Sequence, residues 1–556
     1  MIETKFTIKS LAEAISGKIV GADDFRSPKG FNGIFNVLND STEGDIVIRH
    51  WIDEKGIKIA STKNVACIIT EDPRGNSIEI ATELKIPIIV VEKIEEANAV
   101  ALNWALKNFA PNSKRVVITG TNGKSTTSHM IYHILKTTGA NTLTNTDSKS
   151  EFNTLIDPMV PKLISEYALA NEESLEYVVI EVSEVQGWLG KLMNNHAYLM
   201  TKAVDPDVAV VTNVAIDHIG LVNSIEEVFR ETSGVAKAIR KGTLVLNSDD
   251  KKVLAMADFA DKNVDLFYFS MEDNSALKNN KNEIIANLNE DNNLIYDNKK
   301  AIIYNSKTLL TFDEFPFKSD HFIQNTLAAI SACLSLGINI KDIINGVKSY
   351  KSLKRRFRII NDNPTVVDDF AHNPEGIKAT LNAVSNLSNG NLNVLYAIRG
   401  SRGKEINKMN AEALAEIINF LNNRNFSKNS NDTLVSVEDN SKDSLVSVED
   451  NSKDSLVSVE DKSNGEFQVK TNIELVLSSS ADVVDEANFV EEFEEEITFR
   501  VLNRENIEYT HHKKLHDALV DIYSSAGLDD AILLIGAQGM DPAEMLLEDI
   551  IEKMDE

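Results

Sequence analysis

The chain has 556 residues, and 57 Lys+Arg against 85 Asp+Glu leave a formal charge of −28. At 42% hydrophobic residues it can bury ordinary cores, about three of them at roughly 100–200 residues per domain. So acidic a balance argues against a nucleic-acid or anionic-membrane surface, because phosphates need a basic footprint, although it leaves room for local basic pockets. No apolar run approaches the length of a membrane span, and the opening MIETKFTIKSLAEAI lacks the apolar stretch of a signal peptide. Cys67 and Cys333 each sit inside an apolar run, NVACII and AAISACLSL. Two isolated thiols of that kind fit a reducing compartment and no disulfide framework. The expectation is a soluble, cytoplasmic, multidomain protein, read as a monomer.

In chain order, NVACIIT and IPIIVVE read as buried strands and EEANAVALNWALKNF as a helix ending near Pro111. From Arg115 come strands each followed by a helix: RVVITG, EYVVIEV, PDVAVVTN and GTLVLN. Strands apolar nearly throughout and spaced by helices predict a parallel sheet covered on both faces. A further αβ series runs from TVVDDF through NLNVLYAI to DDAILLIGAQG. The predicted domains are residues 1–110, 111–358 and 359–556. Within the last, TLVSVED at 433–439 and SLVSVED at 444–450 and 455–461 repeat every 11 residues. The valines alternate rather than form a helical stripe, and Ser, Asn and Asp are poor helix formers. Residues 426–465 therefore read as a disordered insertion, with a short strand-forming tag as the alternative.

The strongest local signal is Gly120-Thr121-Asn122-Gly123-Lys124-Ser125-Thr126-Thr127, after the apolar run Val116–Ile118. Met130, Ile131, Ile134 and Leu135 follow at helical spacing, with Gly139 as the stop. Strand, glycine turn and helix N-terminus together make an anion site, with backbone N–H groups and the helix dipole facing phosphates. Lys124 would reach the terminal phosphates and Ser125 would ligate Mg²⁺. The general pattern has a glycine where Ile118 stands, so this is a shorter variant; a tight turn with a surface lysine is the alternative. EYVVIEVSE places Glu181 at the carboxyl end of the next strand, the edge where open α/β sheets put ligands. VVTNVAIDHIGL places Asp217 and His218 just past another strand. A carboxylate, a hydroxyl and an imidazole there could hold one or two Mg²⁺ ions around transferring phosphates. Singly, Glu181 could pair with a lysine and His218 could cap a helix.

These residues resemble the Mur ligase family, ATP-dependent amide-forming enzymes of peptidoglycan synthesis. GTNGKSTT is similar to that family's phosphate loop, EVSE to its E-V-S-S motif, and TNVAIDHIGL to its T-N-x-x-x-D-H-L segment. His321-Phe322-Ile323-Gln324-Asn325 resembles H-N-x-x-N, with Phe322 replacing the first asparagine. RRFRII and VVDDFAHNP resemble the arginine segment and the D-Y-A-H-x-P start of the third domain. The resemblance implies a UDP-substrate domain, a central P-loop parallel-sheet ATPase, and a Rossmann-like domain that delivers the amino acid. It implies an acyl-phosphate mechanism on a UDP-linked substrate, with a free amino acid as second substrate and ATP and Mg²⁺ as cofactors. Carried over by position, Gly120, Thr121, Asn122, Gly123, Lys124, Ser125 and Thr126 would cradle phosphate, with Lys124, Glu181 and His218 at the chemistry. Ser125 and Glu181 would bind the ATP magnesium and His218 the second metal. Asn325 would contact the adenine side, Arg356 the phosphates, Asp369 the ribose, and His372 the substrate.

Two departures from the family pattern stand out. Counting back from Asn247-Ser248-Asp249-Asp250, the family's carbamylated lysine falls near Thr232, with Lys237 the nearest lysine. Glu231 beside it would supply a carboxylate to metal directly. Where a D-N-P-R-like signature for a diaminopimelate-type amino acid would stand, the chain reads SSADVVDEANFVEEFEEE, and the late glycine motif is GAQGMDPAE. DDFAHNPEG and GAQGMDPAE resemble the Mur-type ligases of archaeal pseudomurein synthesis, the preferred reading. DHIGL also resembles the ligase half of cyanophycin synthetase, whose additional ATP-grasp half finds no room here.

HHKKLH at 511–516 reads as a solvated helix start and EEFEEE at 491–496 as an exposed charge run. In Arg399-Gly400-Ser401-Arg402-Gly403-Lys404 the two arginines could grip a carboxylate, with a plain surface loop as the alternative; the resemblance favours substrate contact by Arg399 and Arg402. A folylpolyglutamate-synthase-like ligase is one rival, opposed by the domain before the phosphate loop. A partner-dependent ATP-binding subunit is the other, kept open by the missing lysine.

Overall fold

The computed structural model describes residues 6–555 apart from 28–29, 147–156, 189–190, 217–220, 223, 272–282, 288–300, 305–306, 312–313, 316–319, 386, 389 and 430–471. It is an α/β chain that divides into two compact units, 1–356 and 357–556.

The first unit holds two large sheets. The N-terminal one runs Lys18–Gly21, Pro87–Val90, Cys67–Thr70, Ile46–Ile48, Phe35–Asn36, parallel except for Lys18–Gly21. The larger has nine strands, in the order Lys307–Thr311, Ala301–Tyr304, Glu283–Asn287, Asp265–Ser270, Thr243–Asn247, Val208–Val211, Lys114–Thr119, Tyr177–Glu181, Thr142–Thr144. Ala301–Tyr304 pairs antiparallel with both its neighbours, and the other pairings are parallel. The apolar runs follow from this burial on both faces. Val116 and Ile118 enter one core with Met130, Ile131, Ile134 and Leu135, while Val117 enters the opposite core with Val178 and Ile180. The helix Ile94–Phe109 ties the two sheets together. Ile94, Ala97 and Ala101 pack into the N-terminal core, and Leu102, Leu106 and Phe109 into the central one.

The second unit is a six-stranded sheet ordered Arg358–Asp362, Thr365–Asp369, Ala531–Ile535, Leu392–Ala397, Ile473–Ser478, Thr510–His512, with only Arg358–Asp362 antiparallel. Helices Leu515–Ser525 and Ala543–Asp555 cover one face over Val366, Leu395, Val476 and Leu534. The five parallel strands bring Asp369, Ala397, Ser478, His512 and Ile535 to one edge. The helix Lys404–Asn429 extends into the start of the expected 426–465 insertion, so residues 426–429 are helical; the repeats themselves lie outside the described residues. Among the described residues no helix is long and apolar enough to cross a membrane.

Candidate active site

The phosphate loop leaves the carboxyl end of Lys114–Thr119 and runs into the helix Lys124–Thr137. No side chain caps that helix; its first position is preceded by Gly123 at φ +82°. The first-turn N–H groups and the positive end of the dipole therefore face the loop. The loop is pinned by the end of the neighbouring strand. Thr121 N donates to Asn213 O (3.0 Å) and Asn122 N to Asn213 Oδ1 (2.8 Å). Thr212 Oγ1 and Asn213 Nδ2 donate to Asn122 O at 2.6 and 2.9 Å. Gly120, at φ +128°, has room for no side chain: a Cβ there would lie 2.1 Å from Thr212 Oγ1 and 2.9 Å from Asn213 N. The N-S-D-D segment holds that pinning strand end in turn, since Asn247 Nδ2 donates to Thr212 O (2.8 Å) and Val214 N to Asp250 Oδ2 (2.7 Å).

Ser125 and Glu181 meet as the motif spacing suggests. Ser125 Oγ donates to Glu181 Oε1 at 3.0 Å, both residues being buried. Two residues that sequence reasoning missed hold Glu181 in place. Thr146 Oγ1 donates to Glu181 Oε2 (3.0 Å), and the Asn145 amide bonds both Glu181 N and O. They sit just past the next strand, 35 and 36 residues away in sequence, and no local pattern marks them. Arg356 Nη2 stands 3.4 Å from Ser125 Oγ, after Arg355 at φ +59°, a left-handed conformation uncommon for a non-glycine residue. Asn325 lies on the loop, its Oδ1 2.1 Å from where a Gly123 Cβ would be. Lys124 Nζ is engaged by Gly120 O (2.7 Å), Thr121 O (3.0 Å) and Glu184 Oε2 (2.8 Å). Glu184, also missed, was visible as the glutamate in EVSE where the resembled motif has serine.

Glu231 is buried, but its oxygens serve a local task. Oε2 accepts from Asn195 N (2.5 Å) at the start of the helix His196–Val204, and Oε1 from Arg230 Nε (3.2 Å). Thr232 is buried and donates to Val228 O, and Lys237 donates to Ser233 Oγ and stacks on Phe259. His218 and Asp217 lie outside the described residues. Among the described residues no group of three His, Cys, Asp or Glu is placed to hold a metal ion. The Ser125–Glu181 pair nonetheless has the hard oxygen donors that Mg²⁺ prefers.

In the second unit, Asp369 is buried and accepts from Thr380 Oγ1 (2.6 Å), while His372 Nδ1 bonds the local Phe370 O (2.8 Å). The backbone of the 399–404 loop itself grips an internal carboxylate. Glu494, fully buried, accepts from Ser401 N, Arg402 N, Gly403 N and Glu491 N at 3.0, 2.9, 2.7 and 3.0 Å. Left-handed Ser401 (φ +55°) and Gly403 (φ +83°) turn successive N–H groups inward, an anion nest. Reading 491–496 as an exposed run is therefore corrected. Glu491, Glu492 and Glu496 are exposed, but Glu494 and Glu495 sit on the helix face that packs inward. Glu495 meets Lys513 Nζ (2.5 Å) and Ser479 Oγ (2.5 Å), and His511 Nε2 bonds Ser479 Oγ (2.8 Å). HHKKLH is corrected likewise: His511 and His512 end a strand, and the helix begins only at Leu515.

An uncapped helix N-terminus behind a glycine turn, at the carboxyl edge of a mostly parallel sheet, defines a phosphate-loop α/β domain. Residues 118–333 match the Mur ligase middle domain, and 355–438 match the Mur ligase glutamate ligase domain. The chain belongs to the Mur ligase family. It is 30% identical over 279 residues to the UDP-N-acetylmuramate–L-alanine ligase of Clostridium acetobutylicum, covering 49% of this chain and 52% of that one. The chain spans about half the length of the curated relatives it matches. Among solved structures, the UDP-N-acetylmuramoylalanyl-D-glutamyl-2,6-diaminopimelate–D-alanyl-D-alanyl ligase of Acinetobacter baumannii aligns with a TM-score of 0.60 at 16% identity, over 98% of each chain. A pseudomurein peptide ligase type C from Methanothermus fervidus aligns at 0.52 and 18%, over 92% of this chain and 94% of that one. At such identities the likeness is one of fold.

Proposed function

We propose that the protein is an ATP-dependent, ADP-forming acid–amino-acid ligase that extends a UDP-linked peptide precursor of a pseudomurein-type cell-wall polymer. The observation that carries this reading is the pairing of Lys124 and Ser125 with separate buried carboxylates at an uncapped helix N-terminus, in a chain that also has a glutamate ligase domain. A carboxylate is a poor acylating agent until one of its oxygens becomes a good leaving group. Transfer of the γ-phosphoryl group to it gives an acyl phosphate; the amine then attacks the acyl carbon and phosphate leaves as the amide forms.

In this reading the loop from Gly120 to Thr126 cradles the phosphates against the N–H groups of the helix's first turn, and Lys124 and Arg356 balance their charge. Ser125 and Glu181 would hold Mg²⁺ and His218 a second ion, which when bound would add neutralisation between the two anions. Thr146 holds one oxygen of the Glu181 carboxylate and Asn145 holds the Glu181 backbone, so that the other oxygen stays turned to Ser125. Asn325 covers the adenine side and Asp369 the ribose, while Arg399, Arg402 and His372 receive the charged ends of the incoming substrates. Residues 1–110 bind the UDP-linked substrate, 111–358 ATP, and 359–556 deliver the amino acid. Glu231 takes the place of the carbamylated lysine, sharing a carboxylate that also caps a helix. The site calls for a cytoplasmic supply of ATP, and a single copy of the chain contains every group named.

The test is ATP turnover by the full chain with single amino acids and UDP-linked peptides. Turnover that requires one of each supports the reading; turnover with a folate in place of the UDP-peptide overturns it. Activity that survives bicarbonate withdrawal supports the role of Glu231, and a sharp fall refutes it.

A further inference from the structure

Lys124 has three N–H donors, and all three are engaged: two by the loop's own carbonyls and one by Glu184. Glu184 is fully buried, and its carboxylate is 2.8 Å from an ammonium that is itself 16% exposed. A carboxylate taken so far out of water needs its cation, so the pair is strongly coupled. The glutamate stands where the resembled motif has serine, so neither the phosphate loop nor the Ser125–Glu181 pair requires it.

An arriving triphosphate brings negative charge to the place Lys124 must serve. The ammonium cannot reach it while keeping all three present partners. Gly120 O and Thr121 O are neutral and travel with the loop. Glu184 is the anionic partner and thus the direct competitor of the terminal phosphate.

We infer that Glu184 is a positioning residue that holds Lys124 in reserve and is exchanged for the terminal phosphate when the nucleoside triphosphate binds. The exchange runs backward once the phosphoryl group has left: Glu184 recaptures Lys124, and the loop loosens its hold on the diphosphate. Glu184 thereby weakens nucleotide binding in return for turnover. The inference rests on the proposed reading of the loop as an ATP site.

The experiment is calorimetric titration of the full chain with ATP and with AMP, both with Mg²⁺, in wild type, Glu184→Gln and Glu184→Ser. Two variants are used so that a folding failure of one leaves the other to be read. Removing the competitor should tighten ATP binding by about tenfold, roughly 1.4 kcal/mol, and lower the apparent KM for ATP, with kcat falling as ADP release slows. AMP, which has no phosphate at the position of Lys124, should bind unchanged. Equal or weaker ATP binding in both variants overturns the inference, as does an equal change for ATP and AMP, which would mark a merely structural role. No ATP binding by the wild type would refute the ATP site instead, so the two failures are distinct.

Discussion

Replacing Glu494 by alanine should unfasten the 399–404 loop. The carboxylate accepts four backbone N–H groups between 2.7 and 3.0 Å in a fully buried position. Hydrogen bonds to a charged group contribute about 1.5–3 kcal/mol each, and a buried donor left without an acceptor costs about 1–3 kcal/mol. Ser401 is exposed, and Arg402 and Gly403 are half-buried, so water can reach part of the emptied nest and the four losses do not add in full. The net cost should be on the order of 3–5 kcal/mol. For a unit of this size that lowers its unfolding midpoint by about 10 °C. Glu494→Gln, which keeps one acceptor oxygen, should cost about half as much. Hydrogen exchange reads the effect locally: the amides of Ser401, Arg402 and Gly403 should exchange much faster in both variants, while those of the strand Lys114–Thr119 stay protected. If these three amides stay as protected in Glu494→Ala as in wild type, Glu494 does not hold the loop and the reasoning is wrong.

Other expectations follow from single features. Gly123→Ala places a Cβ at φ +82° where Asn325 Oδ1 now lies; the left-handed backbone costs about 1–2 kcal/mol, and ATP affinity should fall by tenfold or more while titration with the UDP-linked substrate is unaffected. Burial pushes the Cys67 and Cys333 thiols well above their ordinary values, so a thiol reagent should label neither in the native chain and both after denaturation. Burial lowers His196 from 6.5 to about 4, and burial with the neighbouring charge of His133 does the same to His129. The fold favours the neutral rings, so their contribution is complete above about pH 6.5 and is lost as pH falls through about 4. Urea titrations should show the first unit losing on the order of 2–3 kcal/mol per histidine over that window, and His196→Leu should flatten the slope; a pH-independent midpoint would contradict this.

The parts of the site that lie along one stretch of chain were legible in the sequence. Gly120–Thr127 and the helix behind it declare themselves by glycine spacing and by apolar residues at helical intervals, and Glu181 by its place at the end of an apolar run. What stayed hidden depends on residues brought together by the sheet. Asn145 and Thr146 reach Glu181 only because Thr142–Thr144 pairs beside Tyr177–Glu181. Glu494 and Glu495 look like solvated charge because composition cannot say which helix face turns inward. The 399–404 loop was marked by its arginines, yet its shape comes from backbone N–H groups, which leave no trace in side-chain chemistry. Register suggested a metal role for Glu231, but register could not show the contacts its carboxylate makes with Asn195 N and Arg230 Nε.

Phosphate release from ATP, measured on the full chain against a panel of amino acids with and without UDP-linked peptides, puts the proposed ligase to its hardest test. Release should require one amino acid and one UDP-peptide together, and should vanish in Lys124→Ala. ATP binding without release under any pairing would contradict a self-sufficient ligase and point to a subunit that needs a protein partner.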